Sequence, residues 1–234
     1  MIVEDYFRRA GLARELLPEA LLVDRWRREM AFSARGAGRS RAVPDLFEFP
    51  VPVESDDGEA CDVPRRLAPE AFDLRGVWPG DVEALHTALV ILNGMLQRTV
   101  EMTGTDWLGV YRCGEYANLG KSLLKLVYSG GPSRAYFPLN SEFERKSTNA
   151  AVAMSGRAVV IPDIREHVRA GGAYYPCDPD VRSEACLPLF SRLGAVIGVL
   201  DAESRSPLFF RPAILAPLLA LAIEAPGHLP DPGR

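Results

Sequence analysis

Apolar residues follow a helical spacing in several parts of the chain and form short strand-like runs in others. In residues 4–35 they recur every three or four positions, which predicts one or two helices. Residues 36–78 lose this period and carry several prolines, so we expect either a wrapping arm or a linker. The clearest helix is predicted for residues 81–103, where an apolar stripe follows Asp81 as N-cap and stops before Gly104.

Short apolar runs bounded by turn residues follow this helix and predict strands. They span residues 107–113, 122–128, 134–139, 159–161, 186–190 and 195–202. Helices are predicted at residues 148–154 and 214–224, with one helical turn at 164–169 inside a long loop. This order indicates an α+β fold in which helices cover one face of an antiparallel sheet. We divide the chain into a helical and irregular N-terminal extension (1–79), one folded domain (80–226) and a loose tail (227–234).

Composition argues against several classes of function. The chain has 234 residues, 47% of them hydrophobic and 25% charged, as in ordinary globular proteins. Its net charge of −4 gives no reason to expect a nucleic acid or an anionic membrane surface as partner. No apolar run approaches the roughly 20 residues that span a bilayer, and the N-terminus lacks the features of a signal peptide. We therefore expect a cytoplasmic protein with reduced thiols.

The cysteines and histidines show no metal-type spacing. Cys61, Cys113, Cys177 and Cys186 include no Cys-x2-Cys pair, and the three histidines are scattered. No glycine-rich phosphate loop joins a predicted strand to a helix. The sequence therefore predicts neither a metal site nor a nucleotide site.

Acidic and thiol residues concentrate on two of the predicted strands. Glu184 and Cys186 are two residues apart, as are Asp201 and Glu203. Side chains two apart on a strand share a face, so each strand can direct two polar groups into one cavity. Cys177 lies shortly before the first pair, on a proline-flanked segment. Such groups on apolar strands cost stability unless they are used or paired, so this cluster is the candidate site.

Several segments resemble one family in order and spacing. The run Asp106-Trp107-Leu108-Gly109-Val110-Tyr111 is similar to the first strand of GAF domains in free methionine-(R)-sulfoxide reductases. The match continues through residues 154–163, Cys177-Asp178, Arg182-Ser183-Glu184, Pro188-Leu189 and residues 197–201. The resemblance covers residues 81–224 and implies a GAF-like fold for the domain of residues 80–226. The first 80 residues lie outside it.

The resemblance also implies a reaction. Cys177 would be the nucleophile that attacks the sulfur of free methionine-(R)-sulfoxide or a related amino-acid-like compound. Glu184 and Asp201 match the family's acidic positions, where like charges in one site keep a proton available. No bound cofactor is implied, and an external thiol would supply the electrons. The residues expected to hold the substrate are Trp107, Tyr111, Glu203 and Asp178.

The chain departs from the family at two positions. Arg134 and Asn149 stand in the regions where the family usually has two further cysteines. Cys186 and Cys61 are the candidate resolving thiols, and thioredoxin or a small thiol is the external alternative. A second hypothesis is a non-catalytic GAF module that keeps the pocket and senses a small amino-acid-like ligand. Neither hypothesis fixes the oligomeric state, for which a homodimer stays open.

Each candidate residue also has a purely structural interpretation. Glu184 fits an ion pair with Arg182 or Arg192 at the end of a strand. The other candidates fit an unreactive surface thiol (Cys177), the polar end of a strand (Asp201 and Glu203) and the apolar core (Trp107 and Tyr111). The sequence leaves these interpretations open beside the functional ones.

Overall fold

The computed structural model describes most of the chain. The residues described are 1–12, 20–37, 45–53, 66–172, 174 and 178–233, with only the backbone at 33 and 35–37. Cys61 and Cys177 therefore lie outside the described residues. The geometry of the site rests on the other predicted residues.

The described part of the N-terminal extension contains two α-helices and a two-stranded antiparallel sheet. These are α1 (Val3–Ala10), α2 (Ala20–Ala37), β1 (Glu48–Phe49) and β2 (Phe72–Asp73). The two helices confirm the prediction for residues 4–35. Both helices pack into the main apolar core through buried residues such as Phe7 and Met30. Tyr6 also donates a hydrogen bond to the backbone oxygen of Pro188, at 2.9 Å.

The strand β1 connects the extension to the domain. Phe49 stacks on Phe72 of β2, and its ring meets the ring of Tyr128 at 5.7 Å between centroids. Of the two interpretations of residues 36–78, the described part therefore fits the wrapping arm. At the other end of the chain, Arg112 donates a hydrogen bond to the backbone oxygen of Pro230, at 3.0 Å.

The helix α3 (Val82–Thr103) leads into the central sheet. The Asp81 side chain accepts a hydrogen bond from the backbone N–H of Glu83, at 2.9 Å, and so caps the first turn. Gly104 ends the helix at a φ of 68°, a left-handed conformation that favours glycine. The predicted helix and both of its end residues are confirmed.

A six-stranded antiparallel sheet forms the centre of the domain. Its strands are β3 (Trp107–Tyr116), β4 (Gly120–Ser129), β5 (Tyr136–Pro138), β6 (Val159–Ile161), β7 (Ser183–Phe190) and β8 (Val196–Ser204). Their order across the sheet is β5-β4-β3-β8-β7-β6, and each neighbouring pair is antiparallel. The predicted α+β fold, an antiparallel sheet flanked by helices, is confirmed. Strand β7 begins at Ser183, earlier than predicted, because its first residues pair with β8.

Helices cover both faces of the sheet. On one face α2, α3 and the last helix, α7 (Pro212–Glu224), share a core with every second residue of the central strands. On the other face lie the shorter helices α4 (Ser141–Glu144), α5 (Thr148–Ser155) and α6 (Ile164–Arg169). Val152 and Ala153 of α5 pack there against Cys186 and Val199. The prediction of one covered face is wrong, because the apolar residues of α5 form no stripe that reveals its partner.

The helices do not provide a membrane span. Within the part of the chain that the structure describes, each helix is too short or too polar to cross a bilayer. The most apolar of them, α7, is buried against the sheet instead. Each fully buried leucine there contributes about 1.5–3 kcal/mol to the free energy of unfolding.

Candidate functional site

The strands β3, β7 and β8 supply the floor of the site. Cys186 lies opposite Asp201, and Glu184 lies opposite Glu203. On its other side Glu203 lies opposite Trp107. The antiparallel register and the two-residue period therefore bring these predicted residues together on the sheet face below α5. The pairing across the strands, which the sequence does not show, completes the cluster.

The first turn of α5 supplies hydrogen bonds to the two buried carboxyl groups. The hydroxyl of Thr148 donates to Glu184 Oε1, and Asn149 Nδ2 donates to Asp201 Oδ2, at 2.7 Å. Both acids are almost fully buried, with 1% and 3% of their surface exposed. When both acids are ionised, the second oxygen of each, Glu184 Oε2 and Asp201 Oδ1, receives no hydrogen bond from the described residues. Such unsatisfied buried oxygens are costly, so the cluster is ready to accept a proton or a ligand.

Burial and mutual repulsion favour a proton on the pair of carboxyl groups of Glu184 and Asp201. Burial raises the pKa of Glu184 well above its usual value, and the charge of Asp201 raises it further. Burial also raises the pKa of Asp201, to about 6, although hydrogen bonds from Asn149 and Glu184 act in the other direction. Of the two acids, Glu184 therefore holds a proton more readily, and Asp201 is the one that more readily ionises and accepts a hydrogen bond from it.

Cys186 lies between these acids as a neutral thiol. Its side chain is fully buried, and Sγ donates a hydrogen bond to Asn149 Oδ1, at 3.6 Å. Burial, followed by the charges of Asp201 and Glu184, raises the pKa of this thiol well above its usual value. A thiol is a weak nucleophile compared with the thiolate, so this environment disfavours a resolving role for Cys186.

The same residues form a donor set for a cation. Ligand atoms of Glu184, Cys186 and Asp201 lie within 4.8 Å of one another, and all three residues are buried. One thiolate and two carboxylates suit a divalent ion such as zinc, and the carboxylates alone suit an ammonium group. The sequence analysis grouped these residues in one cluster, but the absence of histidine and Cys-x2-Cys spacing gave no prediction of a metal site.

A small cavity of about 20 Å³ lies above the acids. It is lined by Trp107, Ser133, Phe137, Ser147, Thr148, Asn149, Tyr174, Glu184, Asp201 and Glu203. A second cavity of about 30 Å³ shares Trp107, Ser133 and Glu203 with the first and also includes Asp178. Each holds about one water molecule, so an amino-acid-sized ligand requires the two cavities to open and join.

Of the two predicted aromatic wall residues, only Trp107 lines these cavities. Trp107 Nε1 donates to the backbone oxygen of Gly131, at 3.0 Å, and the ring stacks on Tyr128. Tyr111 is 1% exposed and lies in the apolar cluster beneath α5. Tyr111 is not among the residues that line either cavity; it lies further along β3, where its ring packs against the ring of Phe137. For Tyr111 the structure supports the core interpretation.

The charged neighbours of the site form ion pairs with each other or with residues outside it. Arg182 Nη2 donates to Asp163 Oδ2, at 2.7 Å, so this arginine forms its ion pair away from Glu184. Asp178 borders the second cavity and accepts a hydrogen bond from Arg205 Nη2, at 3.3 Å. Glu184 thus belongs to the buried acidic cluster rather than to the surface ion pair considered from the sequence. The proposed catalytic and binding roles of these residues stay predictions.

Sequence reasoning missed two parts of the site. Thr148 and Asn149 open α5, and a polar pair at the start of an alanine-rich helix is the signal that could have identified them. The other part is Lys125, which interrupts an apolar strand and is fully buried. Its Nζ donates to the backbone oxygen and to Oγ of Ser133, at 2.8 and 2.9 Å.

Comparison with known proteins agrees with this fold. A GAF domain model matches residues 88–225, which is more than half of the chain. No curated protein matches. Among solved structures, a type II free methionine-R-sulfoxide reductase from Thermoplasma acidophilum is 19% identical, with a TM-score of 0.53. That alignment covers 62% of this chain and 94% of the reductase.

The chain is also similar to two further solved structures. Free methionine-R-sulfoxide reductase from Neisseria meningitidis, in complex with its substrate, is 22% identical, with a TM-score of 0.49 and coverage of 63% and 86%. The GAF domain of an Acinetobacter phosphoenolpyruvate-protein phosphotransferase is 20% identical, with a TM-score of 0.46 and coverage of 63% and 90%. At these identities the similarity concerns the fold alone.

Proposed function

Because the chain belongs to the GAF domain family, we propose that its buried pocket reduces free methionine-(R)-sulfoxide or a related amino-acid-like sulfoxide, with Cys177 as nucleophile. The observation that carries this proposal is the buried pair of Glu184 and Asp201, in which burial raises the pKa of both carboxyl groups and so favours a retained proton. Sulfoxide reduction needs such an acid beside the reacting oxygen. Trp107 would cover the thioether, and Asp201 with Glu203 would receive the ammonium group.

In the first step the thiolate of Cys177 attacks the substrate sulfur. The sulfur–sulfur bond formed by this attack and the sulfur–oxygen bond of the sulfoxide then break as the oxygen moves to the sulfur of Cys177. The substrate sulfur gains two electrons and leaves as a thioether, while Cys177 loses two electrons and becomes a sulfenic acid. Glu184 gives the proton that completes the sulfenic hydroxyl and balances the charge of the thiolate.

In the second step an external thiol regenerates Cys177. Its sulfur attacks the sulfenic acid, which releases water and forms a mixed disulfide. A second thiol then displaces Cys177 and leaves as the oxidised disulfide. One sulfoxide and two thiols thus yield one thioether, one disulfide and one water. The burial and raised pKa of Cys186 support an external thiol, such as a small thiol or thioredoxin, over this internal one.

The test is the formation of methionine from methionine-(R)-sulfoxide with dithiothreitol as reductant, followed by amino-acid analysis. The variant Cys177→Ser should form none. The matched control is Cys113→Ser on β3, where burial raises the thiol pKa to about 11 and keeps it unreactive. Equal rates in the two variants would remove Cys177 from the reaction.

A second candidate function is a binding module that senses the same ligand without turnover. It is favoured by Asn149, which stands where the resemblance expects a cysteine. Here its amide bridges Asp201 and Cys186 by hydrogen bonds, so the position serves to organise the pocket. Tight binding of methionine together with no conversion of the sulfoxide under any thiol would select this function over the reductase.

A further inference from the structure

Cys186 is a fully buried thiol that the proposed reaction does not use. It lies opposite Asp201 on the neighbouring strand, and Glu184 precedes it by two residues on the same strand face. Its sulfur and one carboxyl oxygen of each acid lie within 4.8 Å of one another, and each of the three residues is at most 3% exposed. Two paired strands therefore gather three groups that can coordinate a metal ion in one buried place.

The first turn of α5 fixes the orientation of all three groups. Thr148 donates a hydrogen bond to Glu184 Oε1, and Asn149 donates one to Asp201 Oδ2. The side-chain oxygen of Asn149 accepts the hydrogen bond of the Cys186 thiol. In metal sites, hydrogen bonds from residues that do not touch the metal orient its ligands in this way. The remaining oxygens, Glu184 Oε2 and Asp201 Oδ1, are buried and, when both acids are ionised, receive no hydrogen bond from the described residues, so they can face a cation.

A divalent cation also compensates the negative charge of this place. Burial of a carboxylate or a thiolate without a counter-charge is costly, and Glu203 adds a further acid opposite Glu184. A bound divalent ion offsets this cost, and a coordinated thiol loses its proton to the solvent. Magnesium prefers an octahedral shell of oxygens, whereas zinc binds thiolate and carboxylate ligands together. The mixed donor set therefore fits an ion of the zinc type.

We propose that Glu184, Cys186 and Asp201 bind one divalent ion of the zinc type, with a water molecule as the fourth ligand. The cavity that borders both acids has a volume of about 20 Å³, which is enough for that water. The ligand atoms of a tetrahedral zinc ion lie about 3.5 Å apart, so the three protein atoms need to approach one another by roughly 1 Å. Three protein ligands and one water are the arrangement of an open zinc site.

This inference goes beyond the proposed reaction, and binding of the metal does not depend on that reaction. A metal ion on the oxygens of Glu184 and Asp201 displaces the proton that the reduction needs. Metal binding and sulfoxide reduction therefore exclude each other in one molecule, and the metal inhibits the reductase. Only this inhibition rests on the proposed function.

The test is titration of the full chain with cobalt(II), after a chelator has removed bound metal and a phosphine has reduced the thiols. Cobalt bound to a thiolate gives a charge-transfer band in the near ultraviolet, so the spectrum identifies a sulfur ligand. One equivalent of cobalt should produce this band, and zinc should displace the cobalt and remove the band. Zinc should also raise the unfolding midpoint, whereas magnesium should not.

Variants of the three ligands show where the metal binds. Cys186→Ala should abolish the band, and Asp201→Asn should weaken cobalt binding at least tenfold. Glu184→Gln should weaken it in the same way, and it keeps the test valid if the alanine variant does not fold. The controls are Cys113→Ala, a thiol on β3 outside the donor set, and Cys177→Ser, and both should keep the band. The unfolding midpoint of each variant verifies that it is folded.

The outcomes separate this inference from the proposed reaction. The absence of a thiolate band in the unmodified protein, or a band that persists in Cys186→Ala, overturns the metal site. Loss of the band in Cys177→Ser assigns the metal to that thiol and also overturns the site. A band that requires Cys186, in a protein that never reduces the sulfoxide, supports the metal site and overturns only the reaction. Sulfoxide reduction at the full rate, in a single turnover with one equivalent of zinc bound, overturns the placement of the metal on the acids.

Discussion

Two buried polar clusters border the pocket, and they differ in how completely the protein satisfies them. Lys125 has two oxygen acceptors on Ser133 and two aromatic rings beside its ammonium group. Glu184 and Asp201 each keep one buried oxygen that, when both acids are ionised, receives no hydrogen bond from the described residues. The fold alone therefore holds the cation, whereas the two acids require a shared proton or a ligand to complete their hydrogen bonds.

This difference distinguishes a buried charge that the fold itself stabilises from buried acids that need a proton or a ligand. A buried polar group whose hydrogen bonds are all formed within the protein has a lower cost of burial, and it has few donors or acceptors available for a ligand. A buried pair with unsatisfied oxygens destabilises the free protein, and binding of a donor relieves that cost. In this pocket the acidic end is thus the part that depends on pH and ligand. The lysine cluster should be independent of pH between 5 and 8.

The largest expected effect is the pH dependence that Asp201 gives to stability. Its pKa rises from the ordinary 3.8 to about 6 on folding, so the folded protein binds this proton more tightly than the unfolded chain. The free energy of unfolding therefore falls as the pH rises from about 4 to 6, by about 3 kcal/mol. Asp201→Asn lacks this titrating group. Between pH 4 and 6 its free energy of unfolding should therefore decrease by about 3 kcal/mol less than that of the unmodified protein.

Urea unfolding at several pH values between 4 and 7 measures this effect. Glu184, whose pKa is also raised, adds to it in the same direction and extends it to higher pH. The control is Glu101→Gln, an exposed partner of Arg98, which should keep the pH dependence of the unmodified protein. An unchanged pH dependence in Asp201→Asn would contradict the description of the acidic cluster.

The next effect concerns the proton on Glu184. Glu184→Gln keeps a neutral side chain of similar shape but cannot release a proton to the substrate oxygen. Sulfoxide reduction should slow about 100-fold, which corresponds to about 2.7 kcal/mol in the barrier. The affinity for methionine should change little, since the side chain is neutral in both proteins. Steady-state kinetics measure this rate, with Glu166→Gln, an exposed position on α6, as the control. A decrease in rate of threefold or less would argue against Glu184 as the acid.

The contribution of Asn149 to the free energy of unfolding should depend on whether Asp201 is ionised. Asn149→Ala removes the donor to Asp201 Oδ2 and should lower the free energy of unfolding by about 2 kcal/mol at pH 8, where Asp201 is ionised. At pH 5 the loss should be smaller, because Asp201 is then mostly protonated. Denaturant titrations at both pH values check this. Asn93→Ala on α3, which removes only a hydrogen bond from Gln97 at 3.4 Å, is the control. Equal losses at the two pH values would contradict the charge-assisted bond.

The smallest effect is expected for the lysine cluster. Lys125→Met leaves the two oxygens of Ser133 without their donor but also removes a buried charge, so a net loss of about 1–2 kcal/mol is expected. This loss should be the same from pH 5 to pH 8. Lys121→Met, an exposed position on the same strand, should change stability by no more than about 0.5 kcal/mol. A loss that grows with pH would show that the two clusters are coupled and would remove the contrast between them.

The sequence by itself determined where helices and strands form and which residues of a strand share one face. The helix α3 was predicted with both of its end residues, because capping residues and the apolar stripe act within a few positions of each other. The two-residue spacing of Glu184 and Cys186, and of Asp201 and Glu203, was enough to place each pair on one face of a strand. The motifs on these strands also indicated the GAF fold, which the family match confirms.

Only the tertiary structure decided which of these groups meet and how they are charged. The register of β7 against β8, the position of α5 above them and the contact of Lys125 with Ser133 join segments that are distant in the chain. Such contacts depend on how whole elements pack, which no local pattern specifies. The pKa values of Glu184 and Asp201 are raised because that packing buries both carboxyl groups. The sequence therefore identified the two acids, and the tertiary structure determined that the pair retains a proton.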